Sequence, residues 1–188
     1  MGKAILLTED VGGDHMMIRR AKMADAAGIA KVHVDSWRAT YKDIVPHDFL
    51  KKMTYEKKKR LWESVLLEGC VFVAENGEGQ IIGFVTGGEE RSGAYEDFQG
   101  ELSTLYILDP YQSKGLGKRL VKTLIEEIET LGFRSMVVSV LEENESKRFY
   151  EALGGQVIDT VEVEIGGKKL KELVYGWKNI SSIHEKMG

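Results

Sequence analysis

The spacing of apolar positions along the chain predicts a mixed α/β domain. Runs typical of strands occur at residues 18–21, 71–75, 80–89, 101–108, 136–140, 156–165 and 168–177. Helical spacing occurs at residues 26–41, 46–52, 55–68, 117–131 and 145–153. This order predicts an α/β fold (α+β, three-layer) in which helices cover both faces of a mixed, mostly antiparallel sheet. The helix between the strands at 101–108 and 136–140 predicts that these two strands are parallel.

Length and composition indicate a single domain. The chain has 188 residues, of which 43% are hydrophobic and 30% charged, enough for one apolar core but short for two. Residues 1–15 precede the first clear element and are predicted to be a non-native or disordered leader. Residues 16–178 are predicted to form the domain, and residues 179–188 a polar C-terminal tail.

Charge and cysteine content exclude several classes of protein. The net charge is −4 and basic residues alternate with acidic ones, so no nucleic-acid partner is predicted. A single cysteine, Cys70, allows no intrachain disulfide and no cysteine-based metal site, and no metal is predicted. No apolar run approaches the roughly 18 residues of a membrane span. We therefore predict a cytoplasmic protein without a membrane partner, and a homodimer is one prediction for its oligomeric state.

The stretch Glu101–Leu120, ELSTLYILDPYQSKGLGKRL, carries the strongest chemical signal. A strand stops at Asp109-Pro110 and is followed by a glycine-rich turn that leads into a helix. Unpaired N–H groups at a helix start, together with glycines and nearby lysines, suit a phosphate group. A Walker loop is excluded because Gln112 stands where its first glycine would be, and a dinucleotide fingerprint because Leu120 replaces its third small residue.

This stretch resembles the acetyl-CoA-binding motif of the GNAT N-acetyltransferase family, in which Gln/Arg-x-x-Gly-x-Gly/Ala follows a strand. The matching residues are Gln112-Ser113-Lys114-Gly115-Leu116-Gly117. Ser113 stands where that family usually has another glycine, and Pro110 lies one place later than its common proline. Neither change removes a backbone donor from the turn. The predicted order of elements from about Met17 to Trp177 also matches the fold of that family.

The resemblance implies that acetyl-CoA is the co-substrate. Main-chain groups of the strand would then pair with the pantetheine arm, and the amides of the turn, followed by Lys118, would hold the pyrophosphate. The predicted cofactor-binding residues are Leu105, Tyr106, Ile107, Gln112, Ser113, Lys114, Gly115, Leu116, Gly117, Lys118 and Asn144.

Residues 144–155, NESKRFYEALGG, resemble a second signature of the family. Tyr150 matches its general acid, which would protonate the thiolate that leaves when an amine attacks a thioester. The alternative is a core tyrosine beside Phe149. Asn144 precedes Tyr150 by one residue fewer than in the commoner signature, so its side chain either contacts CoA or only caps the helix.

The acceptor side of the site is less constrained by the sequence. Glu101 opens the strand that would carry the acetyl group and matches an acidic residue of related acetyltransferases, so it is the predicted general base; a solvent-exposed strand-end glutamate is the alternative. One helical stripe contains His33, Trp37 and Tyr41, which are interpreted either as core residues or as the border of the acceptor pocket.

Together, these residues predict an N-acetyltransferase that transfers acetyl from acetyl-CoA to a primary amine by direct attack in a ternary complex. The amine could belong to a small molecule or to a protein or peptide. A non-catalytic acyl-CoA-binding sensor on the same fold is the alternative.

Overall fold

The computed structural model describes residues 7–11 and 14–187. The strands are β1 (Leu7–Val11), β2 (Asp14–Arg20), β3 (Cys70–Glu75), β4 (Ile81–Glu89), β5 (Gly100–Ile107), β6 (Met136–Leu141), β7 (Gln156–Ile165) and β8 (Lys168–Trp177). The helices are α1 (Ala26–Thr40), α2 (His47–Lys52), α3 (Tyr55–Glu68), α4 (Leu116–Thr130), α5 (Lys147–Ala152) and α6 (Ser181–Met187). No helix in these described ranges is long and apolar enough to cross a membrane.

All eight strands form one sheet in the order β1-β2-β3-β4-β5-β6-β8-β7. Every neighbouring pair is antiparallel except β5 and β6, which are parallel and connected by α4. Two apolar cores hold the helices on this sheet: α4 packs on one face, and α1 with Trp62 of α3 packs on the other. The predicted fold class and the predicted parallel pair are therefore confirmed.

The strands β5 and β6 separate soon after they meet. They pair only from Gly100 beside Met136 to Leu102 beside Val138. At the same place β5 contains a bulge, because Ser103 has no partner in β4 between the paired positions on either side. The bulge and the separation open a gap in the middle of the sheet.

The two terminal segments differ from the sequence-based expectation. β1 lies within the predicted leader and pairs antiparallel with β2, with Leu7 opposite Ile18. The last two residues of the predicted leader, Asp14 and His15, lie in β2, and its residues 1–6, 12 and 13 lie outside the described residues. The segment predicted as a polar tail instead forms α6. Ile183 in this helix and Ile180 just before it have no exposed surface and belong to the larger core.

Candidate active site

A cavity of about 640 Å³ lies where β5 and β6 separate. This volume is typical of a site for a cofactor or a small molecule. The predicted residues that line it are Tyr41, Leu105, Tyr106, Ile107, Gln112, Ser113, Gly115, Gly117, Lys118, Asn144 and Tyr150. The predicted residues that do not line it are His33, Trp37, Glu101, Lys114 and Leu116.

One edge of β5 is available to a ligand. On its β4 side the strand is paired up to Ile107, which faces Gly83. On its β6 side the pairing ends at Leu102, and within the described part of the chain no strand takes over from there. Backbone N–H and C=O groups on this edge therefore need another partner, which an extended amide chain could supply.

The turn after β5 connects this strand to the start of α4. The Gln112 side chain stabilises the turn, since its Nε2 donates to the Ile107 carbonyl at 2.8 Å and to Asp109 Oδ1 at 3.1 Å. Gly115, at the N-cap of α4, has a φ of 78°. Ser113 has a φ of 59°, a left-handed conformation that costs a residue with a side chain about 1–2 kcal/mol. This explains in physical terms why glycine suits that position better.

The first turn of α4 offers donors to an anion. The first N–H groups of a helix have no partner within it and carry the positive end of the helix dipole. Lys118 in that turn lines the cavity, and its Nζ donates to the Lys186 carbonyl of α6 at 3.4 Å. The side chain of Leu116 is buried in the core, so only its amide could reach a ligand. Lys114 is exposed, with Nζ 5.7 Å from the centre of the Tyr111 ring.

Tyr150 lies in α5. Its side chain belongs to the larger core, and the residue also lines the cavity. It is 5% exposed, and its ring packs edge-on against Phe149 with 5.3 Å between centroids. No hydrogen bond to its hydroxyl is made by another residue of the described chain. Burial, with smaller contributions from Tyr106 and Tyr41, raises the pKa of Tyr150 well above its usual value. The phenol is therefore protonated at neutral pH and can act as a donor.

The side chain of Asn144 makes two hydrogen bonds within the protein. Its Nδ2 donates to the Tyr41 hydroxyl at 3.0 Å, and its Oδ1 accepts from the Ser146 amide at 2.9 Å. The residue thus joins the end of α1 to the turn before α5. It is not the N-cap of α5, which is Ser146, and its contact with CoA stays a prediction. Its contribution to the cavity is to hold these two walls together.

His33 and Trp37 lie behind the cavity wall. His33 is 6% exposed, its Nδ1 accepts from Trp62 Nε1 at 3.0 Å, and its ring stacks on Tyr106 with 5.2 Å between centroids. Trp37 Nε1 donates to the Tyr106 hydroxyl at 2.9 Å. Neither residue lines the cavity, and both contact Tyr106, which does. This placement favours the core interpretation, and a role in binding the acceptor stays a prediction.

The buried His33 should make stability depend on pH. Burial, and secondarily Lys58, lowers the pKa of His33 from 6.5 to about 3. Between these values the unfolded chain binds a proton that the folded protein does not. The free energy of unfolding should therefore fall as the pH falls through this window, by about 1.4 kcal/mol per pH unit from this residue.

Urea unfolding of the wild type and of His33→Gln at several pH values between 7 and 4 measures this contribution. The glutamine oxygen can still accept from Trp62 but does not titrate. The variant should lose stability less steeply on acidification. Equal pH dependence of the two proteins would contradict the assignment of His33 to the core.

Two hydroxyl groups in the cavity wall were not singled out by the sequence. Ser36 of α1 is 4% exposed, and its Oγ has no hydrogen-bond partner in the described chain. Thr104 Oγ1 of β5 is likewise buried and unpaired, and both residues line the cavity. Helical spacing from His33 could have indicated Ser36, which lies one turn further along the same helix. Unpaired buried hydroxyls cost about 1–3 kcal/mol each unless a ligand or water satisfies them.

Two acidic side chains, Glu101 and Glu172, do not line the cavity but have shifted pKa values. Glu101 is half-buried; burial and repulsion from Glu90 and Glu172 raise its pKa, partly offset by Arg91. Burial also raises the pKa of Glu172, in β8. Strand alternation could have identified Glu172, because it shares the inward phase of Leu170 and Val174.

Other groups do not suggest a different chemistry. Cys70 packs against the larger core, and burial raises the pKa of its thiol to about 11, so the reactive thiolate is disfavoured. Among residues with described side chains, no group of three or more His, Cys, Asp or Glu could hold a metal ion.

Known proteins share both the sequence pattern and the fold. The family described as the acetyltransferase (GNAT) family matches residues 32–155. An uncharacterized N-acetyltransferase of Bacillus subtilis, YuaI, is 40% identical over 88% of this chain and 95% of its own. The L-amino acid N-acyltransferase MnaT of Escherichia coli is 26% identical over 81% of this chain and 86% of its own.

Among solved structures, yncA from Salmonella typhimurium, determined with its cofactor acetyl-CoA, superimposes with a TM-score of 0.66. The two are 25% identical, and the match covers 88% of this chain and 94% of that one. The family match spans the separated strands, the glycine-rich turn and Tyr150 together. The chain therefore belongs to the GNAT acetyltransferase family.

Proposed function

We propose that this protein transfers the acetyl group of acetyl-CoA to a primary amine by direct attack in a ternary complex. The observation that carries the proposal is one cavity that joins an unpaired strand edge, a glycine-rich helix start and a protonated tyrosine. These are the groups needed to bind an amide-containing arm, an anion and a leaving thiolate.

The residues fit acetyl-CoA in two places. The open edge of β5, from Leu105 to Ile107, can pair with the amides of the pantetheine arm. The turn from Gln112 to Gly117 and the first turn of α4 can hold the pyrophosphate through backbone N–H groups, with Lys118 as a cation nearby. Leu116 and Lys114 would contribute only their amides. Acetyl-CoA supplies a thioester, whose carbonyl carbon accepts the amine and whose sulfur leaves.

Two side chains are proposed to handle protons. Tyr150 donates a hydrogen bond and then a proton to the leaving sulfur, a role that its protonated state allows. Glu101 does not line the cavity, so we propose that it takes the ammonium proton through water. Its raised pKa brings it nearer to neutral pH, which favours a general base. Cys70 is partly buried in β3 and does not line the cavity, and Ser113 belongs to the glycine-rich turn. Neither is placed for a covalent step.

Acetyl transfer can be tested by thiol release. Titration with acetyl-CoA should show binding at micromolar to low-millimolar concentration, and a panel of amines, amino acids and peptides should then release CoA thiol. Absence of CoA binding would contradict the proposal at its first step. Binding without thiol release from any acceptor would instead favour the acyl-CoA sensor.

Gly117→Ala should separate CoA binding from folding. A methyl group at Gly117 would lie 3.4 Å from Phe149 and 3.5 Å from Ile107, which are ordinary contacts, and alanine favours a helix over glycine by about 1 kcal/mol. The unliganded variant should therefore melt at the wild-type temperature or higher. Its affinity for CoA should fall about tenfold, because the methyl group occupies the wall beside the phosphate turn.

Gly115→Ala is the matched comparison. Gly115 has open space around its Cβ position but a φ of 78°, so alanine there should lower the melting temperature through backbone strain. Unchanged CoA affinity in Gly117→Ala, measured by calorimetry, would contradict the assignment of this turn.

Three further statements stay predictions. The protein is predicted to be cytoplasmic and to form a homodimer, which light scattering can measure. The domain is predicted to begin near residue 16. Removal of residues 1–13 would test whether β1 contributes to stability.

A further inference from the structure

Two acids and a serine lie on one face of the sheet formed by β5, β6 and β8. Glu101 lies beside Val137 in the register of β5 and β6, and Glu172 lies beside Leu141 in the register of β6 and β8. Ser139, which lines the cavity, is midway between these two partners on β6. Since alternate residues of a strand point the same way, Glu101, Ser139 and Glu172 project from the same face.

The end of α1 covers that face. Tyr41 packs against Leu141 there, in a cluster with Leu170. The negative charge of Glu172 contributes to the raised pKa values of both Tyr41 and Tyr106, after burial as the main cause. Glu172 therefore acts electrostatically on two residues that line the cavity and on Glu101, although it does not line the cavity itself.

The charge at this end of the cavity is negative. Within the described chain, Glu172 makes no ion pair or hydrogen bond through its side chain, although it is half-buried. The positive charge of Arg91 opposes the effect that Glu90 has on the pKa of Glu101. Among the described residues that line the cavity, only Lys118 is cationic, and it lies at the phosphate turn. A half-buried carboxylate of this kind is stabilised by a cation.

A second observation points to a ligand at the same place. The Oγ of Ser36 on α1 is fully buried, unpaired and part of the cavity wall, and Thr104 Oγ1 on β5 repeats this arrangement. Both hydroxyls can accept a hydrogen bond from an N–H group. An amine entering between α1 and β5 would satisfy them.

We propose that the acceptor is a diamine or polyamine, whose reacting amine is held by Ser36 and whose second ammonium group is held by Glu172. This inference rests on the proposed function and narrows its acceptor class. An acceptor with a carboxylate next to the reacting amine would bring a negative charge towards Glu101 and Glu172. Such an acceptor is therefore disfavoured, in contrast to the amino acid named for the Escherichia coli relative.

Three amines with the same carbon chain test the proposal: 1,5-diaminopentane, pentylamine and L-lysine. Pentylamine lacks the second cation, and L-lysine adds a carboxylate. Thiol release should give a kcat/KM for 1,5-diaminopentane about tenfold or more above that of either other amine, the effect of one charge-assisted hydrogen bond.

The variant Glu172→Gln should lower kcat/KM for 1,5-diaminopentane by about tenfold and remove its advantage over pentylamine. Glu164→Gln is the control, because Glu164 is exposed on β7 and its loss changes the net charge equally. The control should keep the wild-type ratio of the two amines. Ser36→Ala should raise KM for both amines.

This inference would be overturned by equal kcat/KM values for pentylamine and 1,5-diaminopentane, or by a higher value for L-lysine. An equal loss of kcat/KM for both amines in Glu172→Gln would also overturn it. In each case acetyl transfer itself would stand. Failure of every amine, amino acid and peptide to release thiol would overturn the proposed function, and this inference with it.

Discussion

Replacement of Tyr150 by phenylalanine is expected to lower kcat by about a hundredfold or more, the usual contribution of a general acid. The hydroxyl lies in the cavity wall without a partner from the described chain, and burial keeps it protonated. Loss of this donor removes the hydrogen bond and the proton that Tyr150 would give to the departing thiolate. The ring remains, so acetyl-CoA should bind with nearly unchanged affinity.

Tyr175→Phe is the matched control for this experiment. Tyr175 is a neighbouring core tyrosine, with 6.4 Å between its ring centroid and that of Tyr150, and its hydroxyl donates to Glu151 Oε1 at 2.8 Å. Its removal should cost about 1 kcal/mol of stability with little effect on kcat. Single-turnover thiol release and thermal melting of both variants distinguish the two roles. Wild-type kcat in Tyr150→Phe, with a lowered melting temperature, would show that Tyr150 is only a core residue.

In the proposed mechanism Glu101 is the base and Tyr150 the acid, and these roles predict how the rate depends on pH. Glu101 must be deprotonated to accept a proton, and its pKa is raised, so activity should fall on acidification from a higher pH than for an exposed glutamate. Tyr150 must be protonated, and its raised pKa keeps it so on the alkaline side. The rate should thus be controlled by the carboxylate and by the acceptor amine.

Much of the fold was predictable because local signals agreed with the final packing. The bounds of α3 (Tyr55–Glu68) and of both strands of the C-terminal hairpin, β7 and β8, match the prediction. In the hairpin, Gly166 and Gly167 have φ values of 60° and 84°, the conformation that two-residue turns need. The glycine-rich turn was also recognisable, because its spacing reflects local backbone geometry.

The features that make the cavity were not predictable in the same way. The separation of β5 from β6 and the bulge at Ser103 depend on strand pairing between distant residues, which leaves no local periodicity. Side-chain roles depend on neighbours that are distant in the sequence: His33 of α1 is buried, and its Nδ1 accepts from Trp62 of α3. Glu172 gained importance only when the register placed it on the face of Glu101.

The C-terminal helix shows how composition can conceal a core element. Residues 179–188 have polar or charged residues at most positions, which suggested a solvent-exposed tail. Yet Ile180, Ile183 and Met187 recur at helical spacing and all contact the larger core. A short amphipathic helix needs only a few apolar residues when one side remains in water.

Ending the chain after Lys178 is therefore expected to destabilise the protein severely. The truncation removes Ile180 and Ile183, which have no exposed surface, and loss of each buried side chain costs about 2–5 kcal/mol. Two such losses approach the total stability of a typical domain, about 5–15 kcal/mol. The truncation also removes the hydrogen bond from the Ile180 amide to the Arg134 carbonyl, at 2.9 Å, and the contact between Lys118 and Lys186 beside the glycine-rich turn.

Urea unfolding followed by circular dichroism should show the truncated chain largely unfolded or with a much lower midpoint. Ile183→Ala should lie between the truncation and the wild type, because it removes one of the two buried isoleucines. Glu185→Ala changes an exposed residue of the same helix and should leave the midpoint unchanged. If the truncated protein unfolds at the wild-type midpoint, α6 does not contribute to the core, and the interpretation of residues 179–188 as a tail is restored. If it is destabilised but folded, CoA affinity should also fall, since α6 braces the first turn of α4 through Lys118.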